Sequence, residues 1–196
     1  MEIERIIQLL LLSELNLPEN YGKVNDKIVP SVYVYSPLVS LGSTDKLQIG
    51  IKSINSTVVA NNAYERTIII DGTETYQEVK ECTINDIIQI DIMSKNNDAR
   101  TRRYEVVTAL TSNYAKQIQD KYNIRLFDIP SNVQNTQQAE GAANIYRYTL
   151  TLTAQYMKVY TKTIDYYDTF SYNGRIDKEE RQFSFTLDKD SKTDML

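Results

Sequence analysis

The chain has no histidine and no tryptophan, a single cysteine, 6 glycines and 4 prolines in 196 residues. Without histidine, Ser-His-Asp and Cys-His catalysis, imidazole acid–base chemistry and histidine metal ligation are excluded. A lone cysteine, Cys82, makes neither an intrachain disulfide nor a cysteine-rich zinc site. It lies in a strand-like stretch, residues 78–84, and reads as an inert, partly buried thiol. No Gly-x-x-x-x-Gly-Lys or Gly-x-Gly-x-x-Gly loop is present to cradle phosphate. The run from Ile6 to Leu12 is far short of the roughly 20 apolar residues that span a bilayer. Glu2 and Glu4 flank Arg5 and no small-residue cleavage site follows, so neither a signal peptide nor an anchor is expected. Positive charge is also scarce. Lys+Arg 22 against Asp+Glu 26 gives −4, which disfavours a protein that coats nucleic acid. The carboxylate pairs Asp86/Asp91 and Glu179/Glu180 read as solvated surface pairs, with no nucleophile or metal triad beside them. No enzymatic activity, cofactor or metal is expected.

What is present folds. Apolar residues make up 41% and charged residues 24%, the composition of an ordinary globular domain. Residues 2–15 carry Ile3, Ile6, Ile7, Leu10 and Leu11 at helical spacing. Leu9, Leu12, Leu15 and Leu17 widen the stripe, so the helix is either clamped on two sides or meets another subunit. Pro18 and Glu19-Asn20 are expected to end it.

Residues 19–46 read as loop-rich, with a strand over 28–35. A period-2 pattern follows at 47–51 and a third strand at 65–70. Asp71-Gly72 marks a tight hairpin turn. The return strand, 74–82, is polar and Glu-rich, which suits an edge or an arm. Ile88, Ile90 and Ile92 line one face of a further strand, with Gln89 and Asp91 on the other. Asn97-Asp98 caps a long helix predicted over 98–121, with Tyr104, Val107, Thr111, Tyr114 and Ile118 on one face. Arg100, Arg102 and Arg103 crowd its first turn, where the helix dipole disfavours cations. They are either a solvated patch or partners for carboxylates on a neighbouring subunit.

Residues 123–143 read as a long connection. After it, Tyr146, Tyr148, Leu150, Leu152, Ala154 and Tyr156 share one face of a strand. Arg147, Thr149, Thr151, Thr153 and Gln155 share the other, so one face is packed and one wet. Residues 161–196 read as an extension. Tyr166, Tyr167 and Phe170 lead to Asn173-Gly174, a second hairpin signal; Phe183, Phe185 and Leu187 alternate on the return. The extension is either an arm packing on a partner or a small edge hairpin, and 188–196 should fray. The 15 tyrosines suit interfaces, exposed sheets or an AT-rich genome alike.

The fold expected is α+β: a mainly antiparallel sheet packed by an N-terminal helix and one long central helix, with extended hairpin arms. Two segments carry a resemblance. In the first, Ile87-Ile88-Gln89-Ile90-Asp91-Ile92-Met93 runs through a short polar turn into Asn97-Asp98-Ala99-Arg100 and a helix. In the second, residues 139–152 pass from a small and acidic loop into alternating aromatic, Thr and Leu positions. In pattern and element order, residues 1–160 resemble the neck and tail-terminator (tail-completion) proteins of long-tailed phages. The resemblance implies a virion protein, assembled in the host cytoplasm. It would form a ring, a hexamer, that caps the head-proximal end of the tail tube, ends tube polymerisation and joins tail to neck. Its partners would be tail-tube and neck or connector proteins. DNA would pass through the lumen without specific binding, as like charge suppresses adhesion. Subunit contacts are expected at Arg100, Arg102, Arg103, Tyr76, Val79, Tyr166, Tyr167 and Phe170. The competing readings are another neck, tube or baseplate subunit, and a non-viral protein-binding module.

Overall fold

A computed structural model of the chain describes residues 2–35, 45–71, 73–136, 138–140, 143–164, 169–176 and 181–188. Among the described residues it is α+β, with three helices and a mainly antiparallel sheet. The elements are α1 (Ile3–Glu14), β1 (Asn20–Val24), β2 (Lys27–Pro30), β3 (Val32–Val34), β4 (Gln48–Ile70) and β5 (Thr73–Ser94). There follow α2 (Asp98–Leu110), α3 (Asn113–Tyr122), β6 (Ile124–Phe127), β7 (Gln134–Asn135), β8 (Gln138–Glu140) and β9 (Ala143–Ile164). Last come β10 (Thr169–Ile176) and β11 (Arg181–Asp188). The chain divides into two compact units, residues 1–62 with 81–159, and residues 63–80 with 160–196. The second unit is discontinuous in sequence, unlike the single tail expected at 161–196.

In the first unit the strand order is β3-β4-β5-β9-β6, with β7 and β8 also along β9. β3 and β4 run parallel, Val32 opposite Ile49. β5 and β9 run antiparallel, since Asp91 bonds Thr149 while Asn85 bonds Gln155. Side chains alternate across this sheet. Ile49, Ile51, Ile88, Ile90, Ile92, Leu150, Leu152 and Ala154 are buried in one core with Ile7, Leu10 and Leu11 of α1 and Val106, Leu110 and Ile118 of α2 and α3.

Each helix owes its limits to local chemistry. α1 buries the stripe read from its spacing, ends at Glu14 and is closed before Pro18 by Asn16. Asn16 takes a left-handed φ of 48°, Leu17 N–H donates to Leu12 O at 3.1 Å, and Asn16 N–H donates to Ser13 O at 3.2 Å. That is a Schellman closure, with Asn in the position glycine usually fills. α2 begins at Asp98, but Asn97 makes no side-chain cap. Ser94 Oγ accepts from Ala99 N–H and Asn96 Oδ1 from Asp98 N–H instead, both at 2.9 Å. The long helix expected over 98–121 is two helices. Ser112 breaks it, its Oγ accepting from Ala115 N–H at 2.9 Å, because a Ser in extended conformation satisfies the new helix's free donors. The buried residues are Ala99, Val106, Ala109 and Leu110, then Ala115 and Ile118. On the face read from the spacing Ile118 is buried, whereas Tyr104 and Tyr114 are exposed.

Other expectations shift as well. The strand at 28–35 is two strands parted at Ser31, and β1–β2 is a hairpin whose Asn25 and Asp26 both have positive φ, as a type I′ turn requires. The patterns at 47–51 and 65–70 are one strand, β4, and those at 74–82 and 88–92 are one strand, β5. The connection at 123–143 supplies β6, β7 and β8 to the edge of β9. Asp71 has the positive φ (50°) expected of its turn.

In the second unit, Arg66 donates to Gln77 Oε1 at 2.8 and 3.1 Å, and β10 pairs with β11. Asn173 and Gly174 lie inside β10, opposite Ser184 and Phe183. They are therefore no turn; the residues that join these strands, 177–180, lie outside the described residues, as does the tail from 189.

Candidate interaction surfaces

The expected surface pair Asp86/Asp91 is neither a pair nor at the surface. The two carboxylates sit on opposite faces of β5 and are 3% and 0% exposed. Glu179 and Glu180 lie outside the described residues. Asp91 is the centre of a network on the sheet face away from the helices. Its Oδ2 accepts from Arg147 at 2.8 Å and from the Tyr35 hydroxyl at 3.2 Å. Its Oδ1 accepts from Thr149 at 2.7 Å and Gln89 at 2.9 Å. Burial alone pushes this carboxyl's pKa up; the bonds from Arg147, Thr149 and Gln89 outweigh it and hold the pKa below the ordinary range. The bond to Asp91 raises Arg147 in turn. Tyr35 is raised by burial. Each oxygen of Asp91 has two donors, so the group is chemically satisfied and structural.

Gly50 makes room for this cluster. A Cβ there would stand 2.5 Å from Tyr35 Cε2 and 3.0 Å from Tyr33 Cζ. Tyr33 and Tyr35 meet edge to face at 5.1 Å over it. Gly50→Ala is expected to cost about 1–3 kcal/mol, the usual penalty of overpacking. Urea unfolding measures it, and Tyr35→Ala in the same chain should shrink the cost of the Gly50 substitution.

Asp86 differs. Its Oδ2 accepts from Tyr156 at 2.8 Å, while its buried Oδ1 has no partner among the described residues. It lines a pocket of about 480 Å³ with Glu2, Glu4 and Lys158. No group of three or more His, Cys, Asp or Glu among the described residues could hold a metal ion.

The residues expected at subunit contacts are scattered. Arg102 is engaged within the chain, with Glu105 at 2.7 Å and Leu15 O at 3.3 Å. Arg103 lies over the Tyr104 and Tyr148 rings, 4.5 and 5.0 Å from their centres, and donates to Arg100 O. Arg100 is exposed. Val79 is 1% exposed, too deep to be a free contact, and Tyr76 is half-buried. Tyr166 and Tyr167 lie outside the described residues; Phe170 is in β10. Cys82, half-buried, bonds Asn61 Oδ1 at 3.4 Å.

Sequence reasoning missed an exposed stretch of β4. From Ile54 to Asn62 every residue of β4 is exposed, on both faces of the strand. Ile54, Val58 and Val59 are each at least half exposed, as is Val159 of β9, and Met157 is nearly so. A second apolar surface lies along α1, where 48%-exposed Leu9 borders a groove of about 570 Å³ with Leu12, Ile28, Pro30 and Val32. Among the described residues, no helix is long and apolar enough to cross a membrane. Compared with known proteins, the chain matches no family model and no curated sequence.

Proposed function

We propose that this protein is a structural subunit of a phage virion. It assembles into a closed ring that caps the head-proximal end of the tail tube and joins it to the neck. One observation supports this most: β4 from Ile54 to Asn62 is strand with neither face covered. A strand gains its stability from side chains packed on at least one face. One solvated on both faces has been left for another chain to cover. Patches of this kind mark association surfaces rather than solvent-facing ones. The four-donor satisfaction of Asp91 points the same way, since that carboxylate is spent on the fold and not on chemistry.

A ring requires a heterologous interface, one patch of a subunit meeting a different patch of the next. The preponderance of strand favours a tube subunit as the second reading, whereas the buried N-terminal helix α1 favours the terminator. The test is native mass by light scattering across a concentration series, with negative-stain images of the peak. Rings with a central hole are expected, and added tail-tube protein should bind one end of them. A monomer at every concentration overturns the ring. Rings that stack on themselves into tubes would replace the terminator with the tube subunit.

A further inference from the structure

We propose that the outer edge of β4, residues 53–62, receives the outer edge of β9 from a second copy of this chain, so that the sheets of neighbouring subunits run on from one to the next. This rests on the ring reading above and names its joint. Three observations carry it. First, β3 covers the outer edge of β4 only from Ile49 to Ile51. Beyond that, among the described residues, β4 has a neighbour on one side alone. Second, residues 53–64 contain no charged residue, no proline and no glycine. Exposed edges are normally guarded by charge, proline or a bulge, because a row of free N–H and C=O groups recruits any strand that comes by. This edge has β-forming residues and no guard, the composition of a strand meant to pair.

Third, the same sheet offers a second open edge. β6 covers β9 only as far as Tyr156, leaving Met157 to Val159 without a strand on that side among the described residues. Pairing β4 of one copy with β9 of the next sets Met157 to Val159 against part of the longer β4 edge and uses both edges in one kind of contact. Pairing β4 with β4 would make a two-fold dimer and leave both β9 edges open. The uncharged segment 53–64 also places no like charge opposite Lys158. β4 and β9 flank β5 and both run antiparallel to it. In a cyclic ring the new joint is therefore parallel.

The experiment uses the full chain. Amide hydrogen exchange is compared between assembled and dilute protein, with Cys82→Ser chains carrying Val58→Cys, Val159→Cys or both, under an added thiol oxidant. Within one chain β5 separates these two strands, by roughly 10 Å, too far for a disulfide. Any bond between 58 and 159 therefore joins two chains. Exchange at residues 53–62 slowed by roughly tenfold or more on assembly, with oligomeric ladders in the double-cysteine chain only, is the expected result. Assembly that leaves 53–62 open overturns this joint and leaves the ring. Dimers cross-linked by Val58→Cys alone overturn it in favour of two-fold pairing. A monomer at every concentration overturns both. Val58→Lys should abolish assembly with an unchanged urea midpoint; a lowered midpoint shows that the side chain serves the fold, and the exchange data then decide.

Discussion

Asp91→Ala is expected to destabilise the chain by about 3–5 kcal/mol, the cost of breaking a buried ion pair by removing one partner. The carboxylate is fully buried and accepts from four donors, on β5, on β9 and on the segment after β3. Alanine leaves the partly buried Arg147 guanidinium without its anion. Urea unfolding should show a lower midpoint at unchanged slope. Replacing Asp91 and Arg147 together with leucine should cost less than the sum of the two single changes, because no charge is then stranded. The pH dependence has a definite sign. The folded carboxyl titrates below its ordinary value, so its contribution is complete above about pH 4 and is lost as pH falls through the depressed folded value. Asp91→Asn should flatten that acid limb of the stability curve.

The second large effect separates neighbouring residues. Leu10 is 1% exposed and Leu9 48% exposed. Leu10→Ala should cost about 2–5 kcal/mol through lost transfer energy and a cavity among Ile7, Leu11 and the sheet. Leu9→Ala should leave the monomer within about 0.5 kcal/mol of the parent. Thermal or urea unfolding of both variants checks this. Equal losses would show that the groove beside α1 closes over Leu9 in solution.

Much of this fold is legible where burial is one-sided. α1 is read correctly because Ile3, Ile6, Ile7, Leu10 and Leu11 repeat at helical spacing. The inward face of β9 is read because Tyr148, Leu150, Leu152 and Ala154 alternate. The pattern fails where a strand has no buried face. Residues 54–65 of β4 show no alternation because neither side is packed, so one long strand reads as two short ones with a gap. It fails again at Asp91. A polar residue opposite three isoleucines reads as wet, and its burial depends on Arg147 and Thr149, which only the pairing of β5 with β9 brings near. The break at Ser112 had a signal in Thr111-Ser112-Asn113, a run of helix-capping residues, outweighed by the apolar spacing on either side. Of the residues picked for contact, Arg102 and Val79 are occupied within the chain, whereas the exposed Val58 and Val59 carry no motif to announce them.

The pairing at the middle of the sheet has a temporal consequence. Thr149 and Asp91 are 58 residues apart, and Gln155 and Asn85 are 70 apart, whereas Arg66 and Gln77 are separated by 11. Short loops close first and distant strands last. On the ribosome, β4 and β5 emerge and meet well before β9 exists. Through that interval Asp91 has no Arg147 or Thr149, and the uncharged segment 53–64 waits on an incomplete sheet. Refolding is therefore expected to be slow for a chain of this size. Its yield should fall as concentration rises, because the edge of β5 that waits for β9 is equally open to other nascent chains.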